Sequence, residues 1–204
     1  MATITKTAGT AVLSHQAVTH PATVKGSAQD VSTKLGATII CFGGFVEAAA
    51  NTNPGSFLVQ VSGSASGDED WATIGEIAMN DGTPDDEVLT AIEPVAETVL
   101  AVAATAGFVA GDLVYLQDID TLADSEWARL QEIVTNTSLD LIDGLTNEKS
   151  TAGSGCKAFN DATVQSMYVD LTAVTRLRVV FQHEGATGAN CHVKALMVTG
   201  DSIG

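Results

Sequence analysis

Residues 57–77 read FLVQVSGSASGDEDWATIGEI, and their alternating pattern is the clearest sign of the fold. Residues 57–61 are rich in β-branched and aromatic side chains, which are typical of a half-buried strand. Residues 62–70 are small, polar and glycine-containing, as in turns. From Trp71 onward the side chains alternate with a period of two, which indicates a second strand. The stretch therefore predicts a β-hairpin with a polar, acidic tip.

Strand-like segments continue on both sides of this hairpin. Residues 37–46, ATIICFGGFV, predict a strong strand that the Gly43–Gly44 pair kinks or bulges. Residues 51–55, NTNPG, predict a turn. In the C-terminal part we predict strands at 166–171, 175–182 and 192–198, with a turn at 185–190.

The middle of the chain, residues 92–158, carries shorter apolar alternations. A helix beginning at Ser125 competes with strands here, because Ser125 suits an N-cap and the apolar residues after it are near helical spacing. Strands are favoured, since IVTNTSL at 133–139 is poor helix material. Residues 150–155, STAGSG, predict a flexible linker.

These segments predict an all-β protein: an antiparallel β-sandwich, jelly-roll-like, with a small inserted β-module. Residues 1–19 form an N-terminal arm in this scheme. Residues 20–91 plus 159–204 form the discontinuous sandwich, and residues 92–158 form the inserted module and its linker. Such an insertion is physically ordinary, because exposed loop tips tolerate inserted segments.

The charge distribution excludes nucleic acid as an expected partner. The 204-residue chain has a formal net charge of −16, and no Lys or Arg lies between Lys34 and Arg129, an interval with 16 Asp and Glu. Such a surface repels phosphate, whereas nucleic-acid binding needs a basic footprint. The first 34 residues differ, because Lys6, Lys25 and Lys34 face only Asp30 there. This segment either docks on an acidic partner or is an ordinary solvated arm.

Neither a leader nor a membrane segment is expected. The first residues lack the long apolar stretch of a signal peptide, and the apolar stretch at 95–110 is too short and too mixed for a membrane span. We therefore predict a soluble protein. The cysteines Cys41, Cys156 and Cys191 lack metal-ligand spacing. Cys41 lies in an apolar run and is predicted to be a buried free thiol.

Two acidic clusters are candidate calcium sites, because calcium takes several oxygen ligands. The hairpin tip has Asp68, Glu69 and Asp70, but it lacks further ligands and the bidentate Glu of an EF-hand. The second cluster consists of Asp118, Asp120, Asp124 and Glu126. It has no glycine at the turning position. Solvated loops are the preferred interpretation of both clusters, so no metal site is assigned.

The sequence contains no recognisable catalytic motif. The histidines His15, His20, His183 and His192 lie outside any H-E-x-x-H pattern, and no G-x-S-x-G elbow is present. Paired carboxylates for glycoside hydrolysis stay open, because such partners can be distant in the chain. We assign no catalytic, cofactor-binding or metal-ligating residue, expect no cofactor, and predict that the protein is not an enzyme.

Two tryptophans, Trp71 and Trp127, have two interpretations. Exposed aromatic rings on a β-sandwich would form a sugar-stacking face, and buried ones would each complete the core of their own unit. The core interpretation is preferred, because aromatic residues make up only 5% of the chain.

Four segments together resemble small virion proteins of tailed bacteriophages, in particular capsid decoration (cement) proteins. They are FLVQVSGSASGDEDWATIGEI at 57–77, FVAGDLVYLQD at 108–118, SEWARLQEIVTNTSLDLIDGLT at 125–146 and YVDLTAVTRLRVVFQHEGATGANCHVKALMVTGDSIG at 168–204.

The resemblance implies a β-rich, non-catalytic protein that binds the major capsid protein on the outer surface of the virion and forms homo-oligomers there. A trimer is expected by analogy. An acidic surface suits the outer face of a shell better than a lumen that faces DNA. Two alternatives stay open: a phage tail, baseplate or fibre component, and a carbohydrate-binding β-sandwich module.

Overall fold

The structure, a computed structural model, describes residues 9–47, 49, 55–68, 70–81, 83–149, 155–183 and 190–201. These residues form fifteen strands, every strand pairing is antiparallel, and the predicted all-β fold class is confirmed. The strands are β1 (Thr10–Val18), β2 (Ala22–Lys25), β3 (Gln29–Asp30), β4 (Lys34–Phe45), β5 (Ser56–Ser62), β6 (Ala72–Ala78), β7 (Asp86–Val88), β8 (Val99–Ala101), β9 (Leu113–Asp118), β10 (Glu126–Val134), β11 (Ser138–Leu141), β12 (Cys156–Phe159), β13 (Thr163–Asp170), β14 (Arg176–His183) and β15 (Cys191–Asp201), with a 3-10 helix at Leu122–Asp124.

The predicted hairpin is present as β5 and β6. The two strands pair antiparallel with Phe57 opposite Ile77, and one irregularity lies between Val59 and Gln60. Phe57 and Val59 are fully buried, whereas most of β6 is exposed. The apolar alternation of 57–61 thus reflects one buried face, as period-2 patterns do in half-buried strands.

Two sheets face each other across one core. The first has the order β1-β15-β4-β13, and the second has the order β2-β14-β5-β6, with β3 beside β14. The chain crosses directly between these sheets at β1→β2, β3→β4, β4→β5, β13→β14 and β14→β15. Ile39 and Val193 of the first sheet pack in one cluster with Phe57, Val179 and Phe181 of the second. Burying one such side chain stabilises the folded protein by about 1.5–3 kcal/mol.

The third sheet has six strands in the order β7-β12-β9-β10-β11-β8. It has a core of its own, which includes Leu100, Leu116, Leu130 and Leu139. All six strands come from residues 86–159, and we keep the name module for residues 86–159.

The predicted segment bounds differ from the structure at two points. Residues 86–88, which the sequence placed in the sandwich, form β7 and pair with β12 in the module. Residues 10–18, which the sequence placed in the arm, form β1 and pair with β15. In both cases the strand belongs to its sheet because of hydrogen bonds to a strand distant in the chain. The local sequence pattern does not reveal such pairings.

The predicted kink or bulge at Gly43–Gly44 is wrong. The pairing of β4 with β15 runs without a register shift through both residues, and so does the pairing of Gly43 with β13. The glycines instead leave space above the sheet. A Cβ on Gly44 would overlap Tyr115 of β9, and a Cβ on Gly43 would lie 2.7 Å from Cε of Met79.

The segment after Ser125 is the strand β10, as predicted from the low helix propensity of residues 133–139. Ser125 does not cap a helix, since its Oγ accepts a hydrogen bond from the backbone N–H of Asp118 at 2.9 Å. Among the residues that the structure describes, no helix is long and apolar enough to cross a membrane.

Several predicted features lie outside the described residues. They are Lys6 and the rest of residues 1–8, residues 51–54 of the first turn, Glu69 at the hairpin tip, residues 150–154 of the linker and residues 185–189 of the last turn.

Candidate functional site at the junction of module and sandwich

A cluster of four rings joins the module to the first sheet of the sandwich. The sandwich provides His15 from β1 and His192 from β15, and the module provides Tyr115 from β9 and Trp127 from β10. The ring centroids of Tyr115 and Trp127 are 4.8 Å apart, and those of His15 and Trp127 are 5.0 Å apart. We call these four residues the junction cluster.

Local backbone features of the sandwich position the junction cluster. The register of β1 shifts between Leu13 and Gln16, and His15 lies inside this irregularity. Irregularities of this kind re-aim a side chain relative to the regular pleat. Gly44 lies directly opposite His192, and its missing side chain leaves the space that the Tyr115 ring occupies.

Hydrogen bonds connect the phenol to both imidazoles. Tyr115 Oη lies 3.2 Å from His15 Nε2 and 2.5 Å from His192 Nδ1. A phenol has one proton, so it donates to one imidazole and accepts from the N–H of the other. Both bonds therefore form when each histidine is neutral. Trp127 Nε1 adds a third hydrogen bond by donating to the backbone oxygen of Gly43 at 3.0 Å.

Burial keeps both imidazoles neutral. It lowers the pKa of His192 to about 4. Burial, together with the positive charges of His192 and Lys194, lowers the pKa of His15 to about 4. Burial also raises the pKa of Tyr115 above its usual range, so this phenol keeps its proton. The arrangement is thus a neutral hydrogen-bonded chain whose two ends accept protons only in acid.

We expect the junction cluster to make the fold less stable in acid. At His15 and His192 the unfolded chain takes up protons near pH 6.5, and the folded chain does so only near pH 4. Between these values the unfolded state binds more protons, so the free energy of unfolding falls as pH decreases from about 6.5 to 4. Urea denaturation at stepped pH measures this slope.

The matched variant for this experiment carries His15→Gln and His192→Asn. Its free energy of unfolding is expected to depend less on pH in that window, because its carboxylates are unchanged and only two titrating imidazoles are removed. An identical pH slope in both proteins would contradict neutral histidines in the folded state.

A buried ion pair lies beside the junction cluster. Lys149 is fully buried, and its Nζ lies 2.6 Å from Oε1 of Glu126, the residue that precedes Trp127 on β10. Nζ also donates to the backbone oxygen of Asp124. Burial alone would raise the pKa of Glu126, but hydrogen bonds from Lys149 and Thr146 and the charge of Lys149 lower it. Glu126 is therefore an ionised structural partner of Lys149.

A cavity of about 290 Å³ opens between the module and the first sheet. Phe42 and Val164 of the sandwich line one side, and Trp127, Arg129 and Asp143 of the module line the other. The Trp127 ring packs against His15, Tyr115 and Phe42. Trp127 thus joins two units, whereas the sequence placed it in the core of its own unit.

The carboxylates of the hairpin tip form ion pairs with arginines of β14. Arg178 donates to Asp68, and Arg176 lies 3.6 Å from Asp70. Hydrogen bonding and the charge of Arg178 hold the pKa of Asp68 below its usual value. Both guanidinium groups lie over the Trp71 ring, with the Cζ atoms of Arg176 and Arg178 4.8 Å and 4.2 Å from its centroid. This tip is a cation–π and ion-pair cluster that packs against β14.

The second acidic cluster is dispersed into separate local roles. Asp118 accepts hydrogen bonds from the backbone N–H groups of Asp120 and Thr121, which closes the turn after β9. Asp124 and Glu126 contact Lys149 as described. Among the described residues, no group of three or more His, Cys, Asp or Glu side chains is placed to hold a metal ion.

The other two histidines lie at a second position in the sandwich. The rings of His20 and His183 are 4.7 Å apart, and the backbone N–H of His20 donates to Asn190. All three cysteines are free and buried, as predicted for Cys41. The sequence did not reveal the histidine–tyrosine chain, because its members are 77 to 100 residues apart.

Comparison of the chain with models of known protein families, with curated proteins and with solved structures found no match.

Proposed function

We propose that this protein is a non-enzymatic virion component that binds the outer surface of a tailed-phage capsid and decorates or stabilises it. The proposal starts from the resemblance of four sequence segments to capsid decoration proteins. The structural observation that supports it most directly is the distribution of exposed aliphatic side chains, since exposed apolar surface marks sites of macromolecular contact.

Exposed aliphatic side chains are concentrated in the module. Among the described residues twelve large hydrophobic side chains are exposed, of which eight lie in the module and four in the sandwich strands. The most exposed of the eight are Val109 at 63% and Val95 at 60%. Val99 and Ile142 are diagonal neighbours, because Val99 pairs with Asp140 of β11. We propose that the module contacts the major capsid protein through these exposed apolar side chains.

The ionisable side chains also support a binding role. In the junction cluster, the tip and the Glu126–Lys149 pair, these groups satisfy one another within the protein. The alternative of a sugar-stacking face requires an open aromatic ring. Arginine side chains lie over the Trp71 ring, and three neighbouring rings pack on Trp127, which counts against these two tryptophans as a sugar-stacking face.

The experiment is reconstitution. Purified protein is mixed with expanded capsids that lack it, and bound protein is measured by co-sedimentation and cryo-electron microscopy. We expect saturable binding at a copy number set by the lattice symmetry, with ordered density on the outside of the shell. A bare shell contradicts the proposal, and density on the tail alone favours the tail alternative.

Two variants identify the contacting surface. Val95→Glu combined with Val109→Glu is expected to reduce capsid occupancy at least about tenfold, since each change places a charge in an apolar contact. Leu35→Glu combined with Ile74→Glu is the matched control, because these residues are 48% and 49% exposed but lie in the sandwich. Equal occupancy for all variants would remove the module from the contact surface.

A further inference from the structure

The strand β13 forms one edge of the first sheet, and its other side pairs with no strand that the structure describes. In the order β1-β15-β4-β13 it pairs only with β4 among the described strands. The backbone N–H of Leu171 donates to the backbone oxygen of Leu35, one residue beyond the last pair between β13 and β4. Because bonded and non-bonded pairs alternate in antiparallel ladders, Gln165 and Met167 bond to β4. The N–H and C=O groups of Val164, Ser166 and Tyr168 therefore point away from the sheet.

This edge lacks the usual protection against strand pairing. Natural edge strands carry charges, proline or bulges, or they are very short. β13 has eight residues, its register with β4 is regular, and it contains no charged residue before Asp170. Its outward side chains are exposed, with Val164 at 36% and Tyr168 at 70%. In a chain of net charge −16, a strand of seven consecutive uncharged residues is a place where two acidic surfaces can approach.

The outer face next to this edge is also apolar. Val164 lies opposite Phe42, and Ser166 lies opposite Ile40, which in turn lies opposite Leu196 of β15. In this part of the sheet a second strand laid along β13 would extend both the hydrogen-bond ladder and a partly exposed apolar surface.

We propose that two copies of this chain associate through β13, with the two strands antiparallel about a two-fold axis at Ser166. This register places Val164 opposite Tyr168 of the second copy, and Tyr168 opposite its Val164. Aromatic and β-branched side chains directly opposite each other are favourable cross-strand pairs. Asp170 then lies opposite Ala162 of the second copy, so no carboxylates face each other. The outcome is a continuous eight-stranded sheet with about six new backbone hydrogen bonds.

A second copy fits this edge better than an unrelated strand does, because the edge is complementary to itself. The same register supplies a partner for every outward side chain from Val164 to Tyr168, and closed two-fold contacts are the commonest in homo-oligomers. The proposal predicts an even-numbered assembly, whereas the resemblance to decoration proteins suggested a trimer. It does not depend on the proposed capsid function, because it is tested on the isolated protein.

The first experiment measures the mass of the full chain by sedimentation equilibrium over a concentration series. The wild type is expected to be dimeric, and Val164→Glu or Tyr168→Lys alone is expected to weaken dimerisation at least about tenfold. The double variant Val164→Glu with Tyr168→Lys is expected to recover most of this loss, because opposite charges then face each other twice across the axis. Val109→Glu adds the same charge on the module and is expected to leave the dimer unchanged.

The second experiment follows amide hydrogen exchange along β13. The N–H groups of Val164, Ser166 and Tyr168 are expected to become protected as concentration rises, whereas those of Gln165 and Met167 are protected throughout. A monomer at all concentrations, a trimer, or a dimer that both single variants leave intact would overturn the proposal. A monomer whose β13 variants lose capsid binding would also overturn it and would assign this edge to the capsid protein.

Discussion

Replacing Gly44 with alanine is expected to destabilise the protein by about 3 kcal/mol, the upper end of the usual range for overpacking in a core. The new Cβ would overlap Cγ of Tyr115, next to the ring's attachment to the backbone. Tyr115 is fully buried and hydrogen-bonded to His192, so the ring has no free rotamer to adopt. The free energy of unfolding from urea denaturation measures the effect.

Two other glycines provide controls for this substitution. Gly43→Ala is expected to cost less, since the atoms in the way are Cε and Sδ of Met79, at the end of a flexible side chain. Gly63→Ala is expected to be nearly neutral, because no atom lies within 4 Å of its Cβ position. Equal effects at Gly43 and Gly44 would show that Tyr115 does not pack on β4 as described.

Removing Lys149 is the second change with a large expected effect. Lys149→Ala leaves Glu126 charged and unpaired beside the junction cluster, and loss of one partner of a buried ion pair costs about 3–5 kcal/mol. Lys149 is fully buried, and the Glu126 side chain is 13% exposed, so water compensates little. Thermal or urea denaturation of the variant gives the free energy lost.

The control for this prediction is the more exposed pair of Lys157 and Asp86, whose side chains are 35% and 24% exposed. Lys157→Ala is expected to cost about 1 kcal/mol or less, as pairs accessible to solvent do. The double variant Lys149→Met with Glu126→Leu is expected to recover most of the stability, since no unpaired charge remains. Failure of this rescue would mean that hydrogen bonds lost in the double variant, from Lys149 to Asp124 and from Thr146 and Asn147 to Glu126, carry the stability instead.

The strands were predictable from sequence where one face of a strand is buried. The 57–61 alternation, the strand at 37–46 and the preference for strands after Ser125 all correspond to strands of the structure. The acidic tip was readable as a turn, but its ion pairs with Arg176 and Arg178 were not, because they join residues about 110 positions apart.

The Gly43–Gly44 pair shows why the remaining features were not predictable. Glycine in a strand indicates either a bulge or the close approach of another group, and local sequence does not distinguish them. Here a tyrosine from a different sheet approaches. His15, Tyr115 and His192 likewise appear unrelated in the sequence, since only the three-dimensional arrangement brings them together.

The pairing of β1 with β15 has a consequence for the order in which the protein folds. Paired residues of these two strands are 173 (Val18 and Cys191) to 187 (Thr10 and Met197) positions apart, so the first sheet cannot close until β15 has been synthesised. The module draws all its strands from one continuous region and closes shorter loops, which favours early formation. We therefore expect the strands β1–β6 to have unpaired edges while the module folds during synthesis. In this interval the incomplete sandwich is most prone to aggregation.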